Sequence, residues 1–338
     1  MAKDTSPIVA IIGTGYWGIN HVRVFFELQA LGGIFDSDAT RSCEVNARFH
    51  AKKSYEKLES VLSDSALHGL VISTPAVTHF EISMRALEMG KDVLVEKPLA
   101  LRFGEAQQMA DFAKSSGRIL MVGHLLQYHP GMVKLRELVA GGDLGTVEYI
   151  YSNRLNLGKI RTEENALWSF APHDISVMLW LTGAMPIQVN AVGGSYLQPN
   201  VADTTISTFV FDNGVRGHIY VSWLHPFKEQ RLVVVGSKKM AVFDDRAPKG
   251  RKLLLYDKKV SMVNGNFVAE KPEGIPVPFD EETEPLRAEC EHFLECVRTR
   301  QKPRTDGEEG LRVLKVLQSC QRSLQMNGQP VQVLEYRN

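Results

Sequence analysis

A short apolar run that leads straight into a glycine-rich turn constrains the fold of this chain most strongly. Residues 8–12 are apolar, Gly13, Gly15 and Gly18 follow with the spacing GxGxxG, and the next residues form a pattern typical of a helix. The first glycine permits a tight turn, the second lets a pyrophosphate approach the backbone, and the third lets the helix pack on the strand. The pattern therefore predicts a dinucleotide bound at a helix N-terminus.

Strand and helix patterns alternate through the first third of the chain. Patterns of buried strands occur at residues 34–36, 69–73, 92–96 and 118–122, and helical patterns occur at residues 56–62, 79–89 and 103–115. Repeated strand–helix units form parallel sheets with right-handed crossovers. Residues 1–124 are therefore predicted to form an α/β domain of the Rossmann type.

The pattern changes after residue 124. Strand-like segments then follow one another, with the hairpin turn Asp212-Asn213-Gly214 between two of them. One helix is predicted at residues 173–181, and two helices at residues 282–299 and 307–324 close the chain. Residues 125–338 are predicted to form an α+β domain on a large, mainly antiparallel open sheet. Because one face of this sheet lacks an obvious cover, we expect a homo-oligomer, a dimer or a tetramer.

An acidic residue at the end of the second strand predicts the choice of cofactor. Asp36 lies at the usual distance from the glycine turn for an acid that accepts hydrogen bonds from the adenosine ribose. A carboxylate there repels a 2′-phosphate, which favours NAD over NADP. Asp38 is the competing candidate for this role.

The composition argues against several classes of function. Lys+Arg and Asp+Glu each number 39, so the chain has no basic excess for a nucleic-acid or membrane partner. The four cysteines form no CxxC pair, and no His, Cys or carboxylate cluster has metal-binding spacing. With no apolar leader pattern at its start, the chain is expected to be cytoplasmic.

The tripeptide Glu96-Lys97-Pro98 follows the end of a predicted parallel strand, where ligands bind in open sheets of this class. Desolvation and neighbouring positive charge at that edge would lower the pKa of a lysine close to nicotinamide and substrate. From the residues alone, a surface lysine before a proline turn is an equal alternative.

Two further motifs are Ser73-Thr74-Pro75 followed by His79, and Gly123-His124 running to His129-Pro130. Together with the glycine turn and Glu96-Lys97-Pro98 they resemble the glucose–fructose oxidoreductase/inositol dehydrogenase/MocA (Gfo/Idh/MocA) family over nearly the whole chain. The resemblance implies that Lys97 is catalytic and that the second domain binds substrate on one face of its sheet. The glycine turn, Asp36 and the positions implied by the resemblance make up the full set of predicted cofactor-binding residues. They are Gly13, Gly15, Tyr16, Trp17, Gly18, Asp36, Ser73, Thr74, Pro75, His79, Glu96 and Lys97.

The family also has a motif DxxxHxxD on a helix of the second domain. Aligned on the helix end, its histidine falls on His173, and its two acids fall on Ser169 and Ser176. Asp174 follows the histidine instead. The match therefore favours a catalytic dyad of Lys97 and His173, in which His173 is the base and Lys97 stabilises the alkoxide, although these roles can be exchanged.

The segment 152–175 resembles a narrower branch, the UDP-N-acetylglucosamine 3-dehydrogenases. Its cations can neutralise a diphosphate and its amides can bind hydroxyls. Solvated strand and loop residues are the alternative for each of them. His124, His129 and Tyr128 are possible neighbours of the site, and at least one of them is expected to be a packing residue instead. The candidate substrate-binding residues are His124, Tyr128, Asn153, Arg154, Asn156, Lys159, Arg161, Trp168 and His173.

The resemblance implies oxidation of the C3 hydroxyl of UDP-N-acetylglucosamine, with NAD as cofactor and no metal. The product would supply a pyridoxal-phosphate-dependent aminotransferase that makes 3-amino sugars for lipid A or surface polysaccharide. The alternatives are the corresponding uronic acid, a free cyclitol or hexose, and a non-catalytic NAD(H)-binding regulator. The presence of both Lys97 and His173 argues against the regulator.

Overall fold

A computed structural model describes residues 7–270 and 272–333. The helices are, in chain order, α1 (Gly18–Glu27), α2 (Ala39–Phe49), α3 (Leu58–Ser63), α4 (His79–Glu88), α5 (Phe103–Ser116), α6 (Pro130–Ala140), α7 (Ala166–Thr182), α8 (Pro285–Thr299) and α9 (Gly307–Gln325). The strands are β1 (Val9–Ile12), β2 (Leu31–Phe35), β3 (Lys53–Ser54), β4 (Gly69–Ile72), β5 (Asp92–Val95), β6 (Leu120–Val122), β7 (Val147–Leu157), β8 (Pro186–Gly194), β9 (Thr204–Phe211), β10 (Arg216–Ser222), β11 (Leu224–Gly236), β12 (Lys239–Asp244), β13 (Leu253–Asp257), β14 (Val260–Val263), β15 (Asn266–Ala269), β16 (Ile275–Pro276) and β17 (Val331–Gln332).

The first compact unit is built on a parallel sheet with the strand order β3-β2-β1-β4-β5-β6. Strands β1, β4 and β5 are buried along their whole length because helices cover both faces of such a sheet. Their carboxyl ends are neighbours, so Gly13, Ser73 and Glu96 follow the strands at one edge. The α/β class predicted for this part of the chain is confirmed.

The first unit comprises the chain up to Tyr128 together with Glu284–Leu314. The sequence division at residues 124 and 125 instead assigned everything after residue 124 to the second domain. Helix α8 accounts for the difference, because Leu286, Cys290 and Phe293 are buried in the same core as the β1 strand. Burial of this apolar helix face in the first unit is a long-range contact that local patterns do not encode.

The second unit comprises His129–Thr283 and the residues from Lys315 onward. Its sheet has the order β16-β13-β12-β11-β7-β10-β9-β8-β17, and its named strand pairs are antiparallel except for β7 with β10. The predicted α+β class with a large, mainly antiparallel sheet is confirmed. Helix α7 packs against strands β7, β9 and β10 of this sheet.

Helix α7 begins earlier than the sequence pattern predicted. Instead of starting at His173 it starts at Ala166, after Asn165, whose side chain accepts a hydrogen bond from Trp168 N at 3.1 Å. Pro172 lies inside the helix. A proline inside a helix removes one backbone hydrogen bond, and its presence six residues after Ala166 does not end this helix. The longer helix places Ser169, His173 and Ser176 on one continuous element.

Candidate active site

The glycine turn has the geometry expected for a dinucleotide. Gly13 has φ +86°, and a Cβ atom there would lie 2.8 Å from Ser73 O. A Cβ atom at Gly18 would lie 1.9 Å from Gly13 O, so helix α1 can approach the turn only with glycine at this position. At Gly15 a Cβ atom would meet nothing within 4 Å, which leaves space for a pyrophosphate.

The Asp36 carboxylate lies against this turn. It accepts hydrogen bonds from Thr14 N at 2.7 Å, Thr14 Oγ1 at 3.0 Å and Asp38 N at 2.9 Å. Burial by itself would raise the pKa of Asp36, but these hydrogen bonds and Arg41 bring it below its ordinary value. Asp38 instead caps helix α2 by accepting from Arg41 N. The geometry thus favours Asp36 over Asp38 as the partner of the ribose.

We expect Asp36→Ala to weaken NADH binding and to relax discrimination against NADPH. The substitution removes the carboxylate that repels a 2′-phosphate, whereas Arg41, whose Nη1 lies 3.3 Å from Asp36 Oδ1, remains to attract one. Fluorescence titration with NADH and NADPH measures both affinities. Asp38→Asn, which keeps the helix cap, is the matched control. Equal affinity of the unaltered protein for the two cofactors would contradict this assignment.

The next loop, Ser73-Thr74-Pro75, lies beside the glycine turn. Ser73 N donates to Ile12 O at 2.8 Å, and Ser73 Oγ is buried without a hydrogen-bond partner among the described residues. An orphaned polar atom at this position fits a bound cofactor. Tyr16, in the turn itself, is 81% exposed, and Trp17 precedes helix α1 and is half-buried. Tyr16 and Trp17 therefore remain candidates for cofactor contact.

His79 lies against the backbone of two neighbouring loops, and its predicted contact with the cofactor stays a prediction. Its side chain is buried, with Nδ1 2.8 Å from Pro98 O and Nε2 2.9 Å from Thr74 O. Burial lowers the pKa of His79 in spite of these two carbonyl neighbours, so one ring nitrogen donates at neutral pH. The ring therefore lies between the Thr74 and Pro98 carbonyl groups and donates to one of them.

Lys97 is half-buried directly after strand β5, and its peptide bond to Pro98 is cis. The preceding Glu96 points inward. Glu96 Oε1 lies 2.8 Å from His21 Nε2 on helix α1, and Glu96 Oε2 accepts from Lys97 N at 3.2 Å. The Glu96 carboxylate thus supports the loop that carries Lys97, where the sequence predicted a direct contact with the cofactor.

Helix α8 places Glu289 close to Glu96 and Cys290 close to His21. The sequence patterns gave no signal for either residue. Glu289 is 1% exposed, and both of its carboxylate oxygens lack a hydrogen-bond partner among the described residues. Burial, reinforced by the charge of Glu96, raises the pKa of Glu289 well above its ordinary value. Cys290 Sγ lies 3.7 Å from His21 Nδ1. The two buried carboxyls shift in opposite directions, because the hydrogen bond from His21 lowers the pKa of Glu96 against the effect of burial.

Two of the candidate substrate residues pack inside the first unit. His124 is buried with Nδ1 2.5 Å from Glu309 Oε2. Tyr128 is buried, its hydroxyl lies 2.9 Å from Thr305 Oγ1, and burial raises its pKa strongly. Arg304 stacks on the Tyr128 ring at 4.9 Å. These contacts bury Tyr128 within the first unit, and its role in substrate binding stays a prediction.

The remaining candidates lie on strand β7, the loop after it and helix α7. Strand β7 extends to Leu157, so Arg154 and Asn156 share a face, whereas Asn153 lies on the other face and donates to Glu229 at 2.9 Å. Lys159 is exposed, and Arg161 pairs with Glu164 at 3.1 Å and donates to Ser169 at 3.1 Å. The structure thus separates Asn153 from the Arg154 face.

Helix α7 carries the second candidate catalytic residue. His173 is half-buried, and Ser169 and Ser176, which occupy the family's acid positions, are buried. Trp168 is half-buried and donates from Nε1 to Gln321 Oε1 at 3.0 Å. The one acid next to His173 in sequence, Asp174, is 1% exposed.

The described residues contain neither a candidate membrane-spanning helix nor a candidate metal site. Among the helices in residues 7–270 and 272–333, none combines the length and the apolar character needed to cross a membrane. Within the same residues, no group of three or more His, Cys, Asp or Glu side chains is arranged to hold a metal ion.

Comparison with known proteins identifies relatives over most of the chain. Residues 8–124 match the family described as an oxidoreductase family with an NAD-binding Rossmann fold, and residues 132–242 match the GFO/IDH/MocA C-terminal domain. A UDP-N-acetylglucosamine 3-dehydrogenase of Acidithiobacillus ferrooxidans is 28% identical over 90% of this chain and 93% of its own.

Two further comparisons extend this result. A solved structure of an Acidithiobacillus ferrooxidans UDP-N-acetylglucosamine 3-dehydrogenase has a TM-score of 0.83 and 26% identity, covering 94% of this chain and 97% of its own. The scyllo-inositol 2-dehydrogenase (NAD(+)) of Bacillus subtilis is 24% identical over 96% of this chain and 95% of its own. Both nucleotide-sugar and cyclitol enzymes are thus similar to this chain.

Proposed function

We propose that this chain, which belongs to the Gfo/Idh/MocA family of NAD-binding oxidoreductases, oxidises the C3 hydroxyl of UDP-N-acetylglucosamine to a 3-keto sugar. The chain is an NAD-dependent oxidoreductase. The observation that carries the finer proposal is its similarity, along nearly all of both chains, to a UDP-N-acetylglucosamine 3-dehydrogenase. A scyllo-inositol 2-dehydrogenase shows lower identity, which makes a free cyclitol the second candidate substrate.

The residues that would hold NAD are those of the glycine turn, Asp36 and the Ser73 loop. When bound, NAD supplies the hydride acceptor for the sugar carbon. In our proposal His173 takes the hydroxyl proton as the C–H electron pair leaves and the C=O bond forms. Lys97 stabilises negative charge on the same oxygen. Burial of Glu96 and His21 behind Lys97 keeps the loop in place during this step.

The diphosphate of the substrate is assigned to the loop after strand β7. Lys159 is exposed and Arg161 is half-buried with an accessible side chain, so both cations can reach an anionic ligand. The uronic acid form of the substrate would need a further cation for its carboxylate. Because a 3-keto sugar is a carbonyl compound, the reaction that consumes it is proposed to be amination by a pyridoxal-phosphate-dependent aminotransferase.

Calorimetry with NAD present tests the substrate class. We expect UDP-N-acetylglucosamine to bind more tightly than UDP, and UDP more tightly than free N-acetylglucosamine, because the charge-assisted contacts are made by the diphosphate. Affinity for the UDP-sugar is expected to fall with rising salt and in Lys159→Met. The matched control is Lys52→Met, an exposed lysine of the first unit. Equal affinity for the free sugar and the UDP-sugar would rule out a nucleotide sugar.

We propose that the chain forms a homo-oligomer through the open sheet of its second unit. Tyr151 on β7 and His218 on β10 stack with ring centroids 5.0 Å apart, and Ile206 on β9 is 45% exposed. Apolar and aromatic groups on a sheet face favour burial against another chain. Light scattering at micromolar concentration is expected to give the mass of a dimer or tetramer, and a monomer mass would contradict the proposal. The cytoplasmic location stays a prediction.

A further inference from the structure

A buried ion pair lies directly next to the candidate base. The Asp174 carboxylate accepts from Arg154 Nε at 2.7 Å and from Arg154 Nη2 at 3.0 Å, which is a bidentate arrangement. Asp174 also accepts from Ser152 Oγ at 2.6 Å. The side chains of Arg154 and Asp174 are 15% and 2% exposed. Bidentate pairs of this kind fix geometry as well as charge.

Alternation along strand β7 builds the strand side of this pair. Ser152 and Arg154 are two residues apart, so both side chains point to the face on which helix α7 packs. Asp174 is held on the helix side by three hydrogen bonds to this face. Because successive helical residues are separated by about 100° around the helix axis, fixing Asp174 also fixes the direction in which His173 projects.

The Arg154 guanidinium has a further partner within the second unit. With its amide oriented to suit both neighbours, Gln230 accepts from Arg154 Nη1 and donates to Asp245, each at 3.3 Å. Asp245 in turn pairs with Lys252 at 3.1 Å and lies 3.6 Å from His129 Nε2. Three of the five guanidinium N–H donors of Arg154 are therefore engaged by protein groups, which favours a structural role for this residue over binding of the substrate diphosphate.

We propose that Arg154 and Asp174 are positioning residues for His173. The inference rests on the proposed function to the extent that His173 is the base. The family's acid positions on this helix hold Ser169 and Ser176, and in this chain an acid, Asp174, directly follows the histidine. From there Asp174 acts through the helix backbone, and Arg154 anchors Asp174 to the sheet.

A charge-neutral double variant separates positioning from simple stability. Breaking the pair on one side leaves a buried charge and can unfold the protein, whereas replacing both partners by apolar residues of similar volume often preserves the fold. We therefore compare Arg154→Met/Asp174→Leu with Arg231→Met/Asp244→Leu. The second pair joins strands β11 and β12 in the same sheet at 2.8 Å and is more exposed.

The expected result is a melting temperature close to that of the unaltered protein and a kcat lowered at least about 100-fold, with KM for UDP-N-acetylglucosamine within about threefold. The single variant Arg154→Lys, in which Asp174 is unaltered, keeps the positive charge but loses the bidentate guanidinium geometry. Its kcat should lie between those of the double variant and the unaltered protein. The Arg231 and Asp244 control should retain kcat. A normal kcat in the folded double variant would overturn the proposal. A raised KM with unchanged kcat would also overturn it and would return Arg154 to the substrate.

A second readout does not depend on the substrate. In nitrogen-15 spectra of the histidine rings, the His173 signals are assigned by their loss in His173→Gln. We expect one fixed tautomer in the unaltered protein and an averaged signal in the double variant. If UDP-sugars are not turned over but this change is seen, the proposed function fails and the positioning role stands. Unchanged His173 signals in the double variant would refute the positioning role itself.

Discussion

Lys97→Met is expected to lower kcat for sugar oxidation by about 10²- to 10⁴-fold while leaving NADH affinity within about threefold. Lys97 follows strand β5 at the sheet edge where the cofactor turn also lies, and methionine keeps its length and apolar stem but removes the charge. A group that acts on the reacting oxygen affects the chemical step more than cofactor binding.

Steady-state turnover together with NADH fluorescence titration measures these two effects separately. Lys114→Met is the matched control, because Lys114 lies in the same unit with a side chain that is 77% exposed. A Lys97→Met protein with a kcat near that of the unaltered enzyme would eliminate the catalytic role. Loss of NADH binding in the same variant would instead make Lys97 a cofactor ligand.

Glu289→Gln is expected to stabilise the protein increasingly as the pH rises. The folded-state pKa of Glu289 lies well above the ordinary value of 4.5, so the unfolded chain loses its proton near pH 4.5 while the folded chain keeps it. The stability that the protonated form contributes is fully present below the ordinary pKa of 4.5. It is lost as the pH rises from there towards the folded-state pKa, at about 1.4 kcal/mol for each pH unit. Glutamine has the same shape and no proton to lose.

Differential scanning calorimetry of both proteins from about pH 5 to about pH 8.5 provides the comparison. The melting temperatures should nearly coincide at the acidic end and diverge by several degrees at the alkaline end, with the variant more stable. Glu291→Gln is the control, because Glu291 lies on the same helix and is 49% exposed. Parallel melting curves at all pH values would show that Glu289 is ionised in the folded protein.

The cofactor half of the fold was largely predictable from the sequence because its signals are local. Three glycines at fixed spacing after a buried strand require one turn geometry, and the structure has that geometry. Helix α2 (Ala39–Phe49) gave no usable signal because its sequence is mainly polar, and its N-terminus depends on the Asp38 cap. Such a helix is recognised from its cap more easily than from its periodicity.

Side-chain direction is what the motifs failed to predict. His79, Glu96 and Tyr128 all belong to or adjoin motifs of the family, and each turns inward to a partner distant in sequence. The pairing of Arg154 with Asp174 could not be predicted from the sequence for the same reason. Strand alternation assigned Arg154 to a face, but only the packing of helix α7 places an acid opposite it. Long-range packing of this kind has no local sequence signature.

The most direct test of the proposed reaction follows a deuterium label under single-turnover conditions. The enzyme and NAD are mixed with UDP-N-acetylglucosamine deuterated at C3, and the NADH that forms is examined by mass spectrometry. The proposal predicts transfer of the deuterium to the reduced cofactor, with no transfer when the label is at C4 of the sugar. Formation of unlabelled NADH from the C3-deuterated substrate, or oxidation of free inositol but of no UDP-sugar, would contradict it.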